Sequence, residues 1–133
     1  MEKEDTGTVQ TNPCWFVDLD WYQQNSRSFL ALAQSCLCPK CQKRFKGKIS
    51  VDDLFKTIKG CCSKTPGFIT GRLPVLESIF RLFLANGNQP LELEELGKQL
   101  SEWRDGDTYR ASAEILSRLL YSDQYYGLRQ ISK

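Results

Sequence analysis

The stretch from residue 36 to residue 62, CLCPKCQKRFKGKISVDDLFKTIKGCC, holds five of the six cysteines of the chain. Cys38 and Cys41 are separated by two residues, so their thiolates can bind one metal ion from a tight turn. Cys61 and Cys62 follow after 19 residues, which is within the usual spacing of zinc sites. The stretch therefore predicts a metal site with thiolate ligands.

The expected ligands are all cysteines, because the chain has no His. Adjacent cysteines point in different directions, so we expect only one member of the Cys61–Cys62 pair to bind the metal. The predicted Zn²⁺ ligands are Cys38, Cys41, Cys61 and Cys36, with Cys62 and Cys14 as alternatives. The run CPKCQKRF, residues 38–45, resembles the knuckle of a zinc ribbon or treble-clef site.

Other uses of the cysteines stay open at this point. An iron–sulfur cluster could take its thiolates from Cys36, Cys38, Cys41 and Cys61. Disulfides suit secreted domains, and the polar N-terminus does not have the pattern of a secretory signal. A thioredoxin-like redox pair requires a βαβ unit, which the sequence pattern does not indicate. Cys14 and other cysteines can also be buried free thiols.

Composition excludes several function classes for the 133 residues. The absence of His excludes Ser-His-Asp and Cys-His catalysis, and we find neither a Gly-rich phosphate loop nor a nucleophile with a partner base. We therefore expect no enzyme activity. No run of about 18 apolar residues is present, so we expect no membrane span and a cytoplasmic location, or a nuclear one in a eukaryote.

Hydrophobic periodicity predicts five helices and one extended segment. Asp20 is the expected N-cap of the first helix, and Ser50 that of the second. In the last helix we expect Ile115, Leu116, Leu119 and Leu120 to face inward. The predicted helices cover residues 21–35, 51–59, 74–85, 92–103 and 108–121 (with Thr108 as the last N-cap), and residues 125–131 are predicted to be extended.

The C-terminal pattern is a helix, then NGNQPLELEELGKQL, a further helix, and RLLYSDQYYGLRQI. It resembles a winged-helix or helix-turn-helix domain over residues 73–131, in which TYRASAEILSRLL is the recognition helix. A two-stranded wing hairpin hardly fits before Lys133, which departs from the pattern. The predicted fold class is mainly α with a small β component: an N-terminal Cys-rich metal module plus a C-terminal winged-helix-like three-helix domain. The predicted divisions are a disordered tail (1–12), a helix plus four-cysteine zinc-knuckle-like module (13–66) and a winged-helix-like domain (71–133).

Positive charge is concentrated near the cysteines, although the net charge is only +2. Residues 40–64 contain eight basic and two acidic side chains, whereas residues 71–133 have a formal charge of −1. Such a basic stretch favours contact with phosphates. The expected function is zinc-stabilised nucleic-acid binding, most simply to DNA in transcription regulation. The expected contacts are Lys43, Arg44, Lys46, Lys48, Arg110, Ser112 and Arg118.

Two alternative functions stay open. One is a protein–protein docking module of a larger complex, for which the acidic helix with Glu92, Glu94 and Glu95 is suited. The other is a redox-sensing regulator that uses an iron–sulfur cluster or reactive thiols.

Overall fold

Helices dominate the computed structural model, which describes residues 13–45, 49–103 and 113–131. Three short strands accompany them, so the prediction of a mainly α chain with a small β component is confirmed. In chain order the elements are β1 (Cys14–Val17), α1 (Leu19–Gln24), α2 (Phe29–Gln34), α3 (Pro39–Arg44), α4 (Val51–Gly60), a 3-10 helix (Cys62–Lys64), α5 (Val75–Ala85), β2 (Leu91–Glu92), α6 (Leu93–Trp103), α7 (Ala113–Ser122) and β3 (Leu128–Ile131).

Strand β1 lies at the centre of an antiparallel sheet of order β2-β1-β3. Cys14 is opposite Ile131 of β3, and Trp15 is opposite Leu91 of β2. Trp15 and Val17 alternate with half-buried neighbours and are themselves buried, as expected for a strand that packs one face on a core. The N-terminal strand therefore joins two strands that come from the second half of the chain.

The region predicted as one helix over residues 21–35 forms two helices instead. Asp18, not Asp20, caps α1 and accepts a hydrogen bond from the backbone N–H of Asp20. Ser26 then has a positive φ of 54°, a conformation that a right-handed helix cannot contain. Ser28 starts α2 by accepting a hydrogen bond from the backbone N–H of Ala31. The chain thus turns before it reaches the cysteines.

One hydrophobic cluster contains buried side chains from both halves of the chain. Phe29 of α2 is 5.9 Å from Phe55 of α4 and 6.2 Å from Phe80 of α5, measured between ring centroids. The predicted division between residues 66 and 71 therefore runs through a shared core, and β1 crosses it in the sheet. The physical reason is that a four-residue strand buries its apolar side chains only against other elements.

The C-terminal helices lie close to their predicted ranges. Leu116 and Leu120 of α7 are buried as expected, but Ile115 is 41% exposed, so its predicted inward orientation is wrong. The predicted tail of residues 1–12 and the predicted cap Thr108 lie outside the described residues. Among the helices that the structure describes, none combines the length and the apolar character that a bilayer crossing requires.

Candidate metal centre

Four cysteine sulfurs meet where α3 approaches the end of α4. We call Cys38, Cys41, Cys61 and Cys62 the cysteine cluster; all of their Sγ atoms lie within 4.8 Å of one another. The Sγ–Sγ distance is 3.5 Å for Cys38–Cys62, 3.6 Å for Cys41–Cys61 and 4.0 Å for Cys38–Cys61. The cluster could hold a metal ion.

The spacing of the sulfurs fits a single ion with four ligands. A tetrahedral zinc–thiolate centre has Zn–S distances of about 2.3 Å, which places its sulfurs about 3.8 Å apart. The shortest and the longest of the three sulfur distances, 3.5 and 4.0 Å, lie on either side of that value. A four-iron cluster binds each thiolate to a different iron and therefore needs sulfurs farther apart than the ligands of one ion. The three distances are therefore compatible with a single bound metal ion.

The first two sulfurs are positioned by the start of α3. Cys38 is the N-cap residue, and Pro39 occupies the first helical position, where its missing N–H is not needed. Cys41 lies three residues after Cys38 and is therefore on the same side of the helix. The CxxC sequence thus presents two sulfurs to one point.

The other two sulfurs are positioned by a sharp change of direction after α4. Cys61 is the C-cap of α4, with φ −133° and ψ −65°, and the 3-10 helix begins at Cys62. This turn brings both thiols to the same point, so the expectation that only one of them joins the group is wrong. The torsion angles of Cys61 supply the reason, and no pattern of residue types specifies them.

Cys36 and Cys14 are not members of the cysteine cluster. Cys36 is buried in the hydrophobic core, its Sγ donates to the carbonyl oxygen of Leu32 at 3.9 Å, and burial raises its pKa. Cys14 lies on β1, paired with Glu92 and Ile131. The four cysteines that could hold a metal ion therefore include Cys62, one of the predicted alternatives, and do not include Cys36.

Hydrogen bonding lowers the pKa of one cluster thiol, whereas burial raises the pKa of two others. The backbone N–H of Cys41 donates to Cys38 and lowers the pKa of that thiol to about 6, whereas burial raises the pKa of Cys41 to about 12. Burial also raises the pKa of Cys62, whose Sγ accepts a hydrogen bond from the backbone N–H of Cys38 at 3.2 Å. Four thiolates at this spacing repel one another, so a cation at their centre is what would stabilise them together.

Exposed cationic residues lie close in sequence to the cysteine cluster. Lys43 and Arg44 lie in the last turn of α3, where both are exposed as predicted for phosphate contact. Three further exposed lysines lie within three residues of a cluster cysteine, and the sequence analysis did not single them out. They are Lys40, Lys59 and Lys64.

One of the remaining predicted nucleic-acid contacts lies on α7, and the other four lie outside the described residues. Arg118 is exposed and forms an ion pair with Glu114, with 3.1 Å between the guanidinium and carboxylate atoms. This pairing occupies the Arg118 guanidinium with a carboxylate of its own helix. Lys46, Lys48, Arg110 and Ser112 lie outside the described residues.

The chain was compared with protein-family profiles, with curated proteins and with solved structures, and none of the three comparisons finds a match. The chemistry of the site is therefore derived from its own geometry.

Proposed function

We propose that the cysteine cluster binds one Zn²⁺ and that this centre is structural. Four thiolates fill the tetrahedral positions of zinc and leave no open position for a substrate, which is the pattern of structural rather than catalytic zinc. The ion would connect the start of α3 with the end of α4, two points about 20 residues apart in the chain.

The function that we propose for the module is nucleic-acid binding through a basic surface. This basic surface consists of Lys40, Lys43, Arg44, Lys59 and Lys64. The observation that carries the proposal is that all five side chains are exposed and none forms an ion pair with another described residue. Cations that no described carboxylate neutralises are available for phosphate groups.

The local charge stays positive when the metal is included. Four thiolates and one Zn²⁺ carry a charge of −2, so the five cations leave a formal charge of about +3. Asp53 lies in the first turn of α4, at the opposite end from Cys61. Eight helical residues separate the two by roughly 12 Å, which exceeds the Debye length at physiological salt.

We further propose that the C-terminal helices and the sheet form a winged-helix-like arrangement with a rearranged wing. The order α5, β2, α6, α7, β3 agrees with the resemblance of the sequence. Strand β1 lies antiparallel to β3, in the place where the second strand of a wing hairpin would be expected.

Metal analysis of the purified full chain tests the zinc centre. We expect one zinc per chain, and loss of the metal in each single Cys→Ser variant of the cysteine cluster. Cys14→Ser is the matched control and should keep its zinc, because Cys14 lies on β1, away from the cluster. Full zinc content in Cys38→Ser or Cys41→Ser would refute the site, and one iron per chain with visible absorption would refute the choice of zinc.

Fluorescence anisotropy with labelled duplex DNA and structured RNA tests nucleic-acid binding. We expect affinity that falls steeply with salt, with a slope of up to about −4.5 in log K against log[salt] if all five cations contact duplex phosphates. The double variant Lys43→Gln/Arg44→Gln should weaken binding, whereas Lys98→Gln, an exposed control on α6, should not. Absence of binding at low salt would exclude the proposal.

Protein docking is a second candidate function, favoured by the surface of α7. Ile115 is 41% exposed and Tyr121 65% exposed, and Arg118 is paired with Glu114. Apolar and aromatic side chains on an exposed helix are more typical of a protein contact than of a phosphate contact. A defined protein partner that survives nuclease treatment and is lost in Ile115→Asp would support docking; retention of that partner by Ile115→Asp would count against it.

A further inference from the structure

The four sulfurs of the cysteine cluster form two pairs of unequal exposure. Cys38 and Cys61 are half-buried, whereas Cys41 and Cys62 are buried. The half-buried Cys38 has the buried Cys62 as a neighbour at 3.5 Å, and the half-buried Cys61 has the buried Cys41 at 3.6 Å. Each sulfur that an oxidant can reach therefore has a protected sulfur close to it.

We propose that the cysteine cluster is a peroxide-reactive modification site in which oxidation forms the disulfides Cys38–Cys62 and Cys41–Cys61 and releases the metal. The metal release rests on the proposed function; the disulfide pairing rests on the sulfur positions. The paired sulfurs must approach by about 1.5 Å to reach the S–S distance of about 2.05 Å. Rotation of the side chains and small backbone shifts in the exposed end of α3 supply that movement.

The reaction is balanced with hydrogen peroxide as the oxidant. A half-buried thiolate attacks one peroxide oxygen, the O–O bond breaks, and a sulfenic acid and a hydroxide ion form. The neighbouring buried thiolate then attacks that sulfur, the S–S bond forms and a second hydroxide leaves. Two peroxides thus convert four zinc-bound thiolates into two disulfides, one free Zn²⁺ and four hydroxide ions.

The other two pairings are less favourable. A Cys38–Cys61 disulfide would start from an Sγ–Sγ distance of 4.0 Å, which is the longest of the three sulfur distances given above. Pairing within each segment would join the neighbours Cys61 and Cys62, which forces the peptide between them out of its preferred geometry. The proposed pairing instead joins α3 to the segment after α4 twice, as the metal does, so we expect the oxidised chain to stay folded.

Zinc release and peptide mapping of the zinc-loaded full chain test the proposal. The chain is titrated with hydrogen peroxide, free zinc is followed with a chromogenic chelator, and free thiols are trapped by alkylation under denaturing conditions. We expect complete zinc release at about two peroxides per chain and two remaining thiols, Cys14 and Cys36. Reduction followed by added Zn²⁺ should restore the metal content.

Trypsin places the cluster cysteines in three peptides, of which one also contains Cys36 and one contains both Cys61 and Cys62. It cleaves after Arg27, Lys40, Lys43, Lys59 and Lys64, which gives the peptides 28–40, 41–43 and 60–64. We expect all three peptides in one disulfide-linked species, and fragmentation between Cys61 and Cys62 to place peptide 28–40 on Cys62. Attachment of peptide 28–40 to Cys61, or of peptide 28–40 to 41–43, would overturn the pairing.

Single variants provide an independent assignment. In Cys62→Ser we expect a link between peptides 41–43 and 60–64 and a free Cys38; in Cys61→Ser, a link between 28–40 and 60–64 and a free Cys41. A wild-type chain that contains zinc but forms only sulfinic acids refutes this inference and leaves the metal site intact. A chain that never binds zinc refutes the metal site, and the disulfide pairing is then judged from the same mapping.

Discussion

Gly127 directly precedes β3 and packs closely against Trp21 and Tyr22 of α1. Its φ is +71°, and a Cβ added there would lie 2.7 Å from Tyr22 Cε1 and 3.0 Å from Trp21 Cε3. We expect Gly127→Ala to lower the free energy of unfolding by about 2–4 kcal/mol, from left-handed backbone strain together with overpacking. Urea denaturation measures the change.

Gly87 is the matched control for this substitution. Its φ of +75° is nearly the same, but nothing lies within 4 Å of an added Cβ. Gly87→Ala should therefore show the backbone cost alone, about 1 kcal/mol. Equal losses in the two variants would mean that the contact with Tyr22 and Trp21 is unimportant.

Asp123 organises the turn between α7 and β3 from a buried position. Its carboxylate oxygens accept hydrogen bonds from the backbone N–H groups of Tyr125, Tyr126 and Leu128 at 2.9–3.2 Å. Asp123→Ala leaves these donors without an acceptor, so we expect a loss of about 3 kcal/mol in the free energy of unfolding. Asp53→Ala, at an exposed position of α4, should cost less than about 1 kcal/mol in the same urea titration. Similar losses in both variants would contradict this role.

At the residue scale, the sequence predicts one half of the cysteine cluster better than the other. Cys38 and Cys41 follow from the CxxC spacing, because the start of a helix brings residues three apart to one side. Cys62 depends on the torsion angles of Cys61, and these result from where α4 ends against the core. A rule about adjacent residue types therefore could not select Cys62 over Cys36.

Asn88 lies outside β1, but its side chain hydrogen-bonds to the backbone of Val17, the last residue of that strand. Its side-chain oxygen accepts from the backbone N–H of Val17 at 2.9 Å, and its Nδ2 donates to the carbonyl oxygen of Val17 at 2.9 Å. The side-chain amide thus satisfies the end of β1 where the two residues of β2 no longer reach.

Substitution of Asn88 separates hydrogen bonding from backbone strain. Its φ is +63°, which Gly tolerates and Ala does not. We expect Asn88→Gly to lose about 2 kcal/mol in the free energy of unfolding from the two lost hydrogen bonds, and Asn88→Ala to lose about 1 kcal/mol more. Chemical denaturation of both variants measures the difference, and an unchanged stability in Asn88→Gly would exclude the role.

At the element scale, local signals predict a helix well when its cap and its buried face agree. The predicted Ser50 cap is confirmed, and α4 (Val51–Gly60) extends one residue beyond the predicted range of 51–59. The division between α1 and α2 was missed, because the apolar residues of 21–35 fit one continuous stripe. The helix is divided at Ser26, whose φ is positive, and this turn lets Tyr22 of α1 and Phe29 of α2 pack against each other. Both features depend on tertiary packing.

Metal removal is expected to weaken the whole molecule rather than one part of it. Because the hydrophobic cluster includes residues from α2, α4 and α5, a loosened α3–α4 connection exposes a core that all the elements share. We expect a chelator to lower Tm by at least about 10 °C while one transition remains, since each kcal/mol shifts Tm by about 3–5 °C at this size. Differential scanning calorimetry with and without zinc measures it, and two separate transitions would contradict a common core.

At the scale of the whole molecule, the sequence pattern predicts two separate parts, whereas one hydrophobic cluster contains buried residues from both of them. The pattern of cysteines in the first half and periodic helices in the second suggested a division after residue 66. Trp15 and Val17 gave little sign of their partners, because strand pairing over more than 70 residues leaves no local signal. Strand β1 instead pairs antiparallel with both β2 and β3.

The antiparallel register of β1 and β3 has a mechanical consequence. Cys14 lies opposite Ile131, so the N-terminal end of β1 and the C-terminal end of β3 are at the same end of the β1–β3 pair. Tension applied between residues 13 and 131 loads the hydrogen bonds one after another, whereas tension between Asp18 and residue 131 loads them together. Optical tweezers with handles at these positions should therefore open the pair at a lower force in the first geometry, which makes the sheet a weak point under axial pulling.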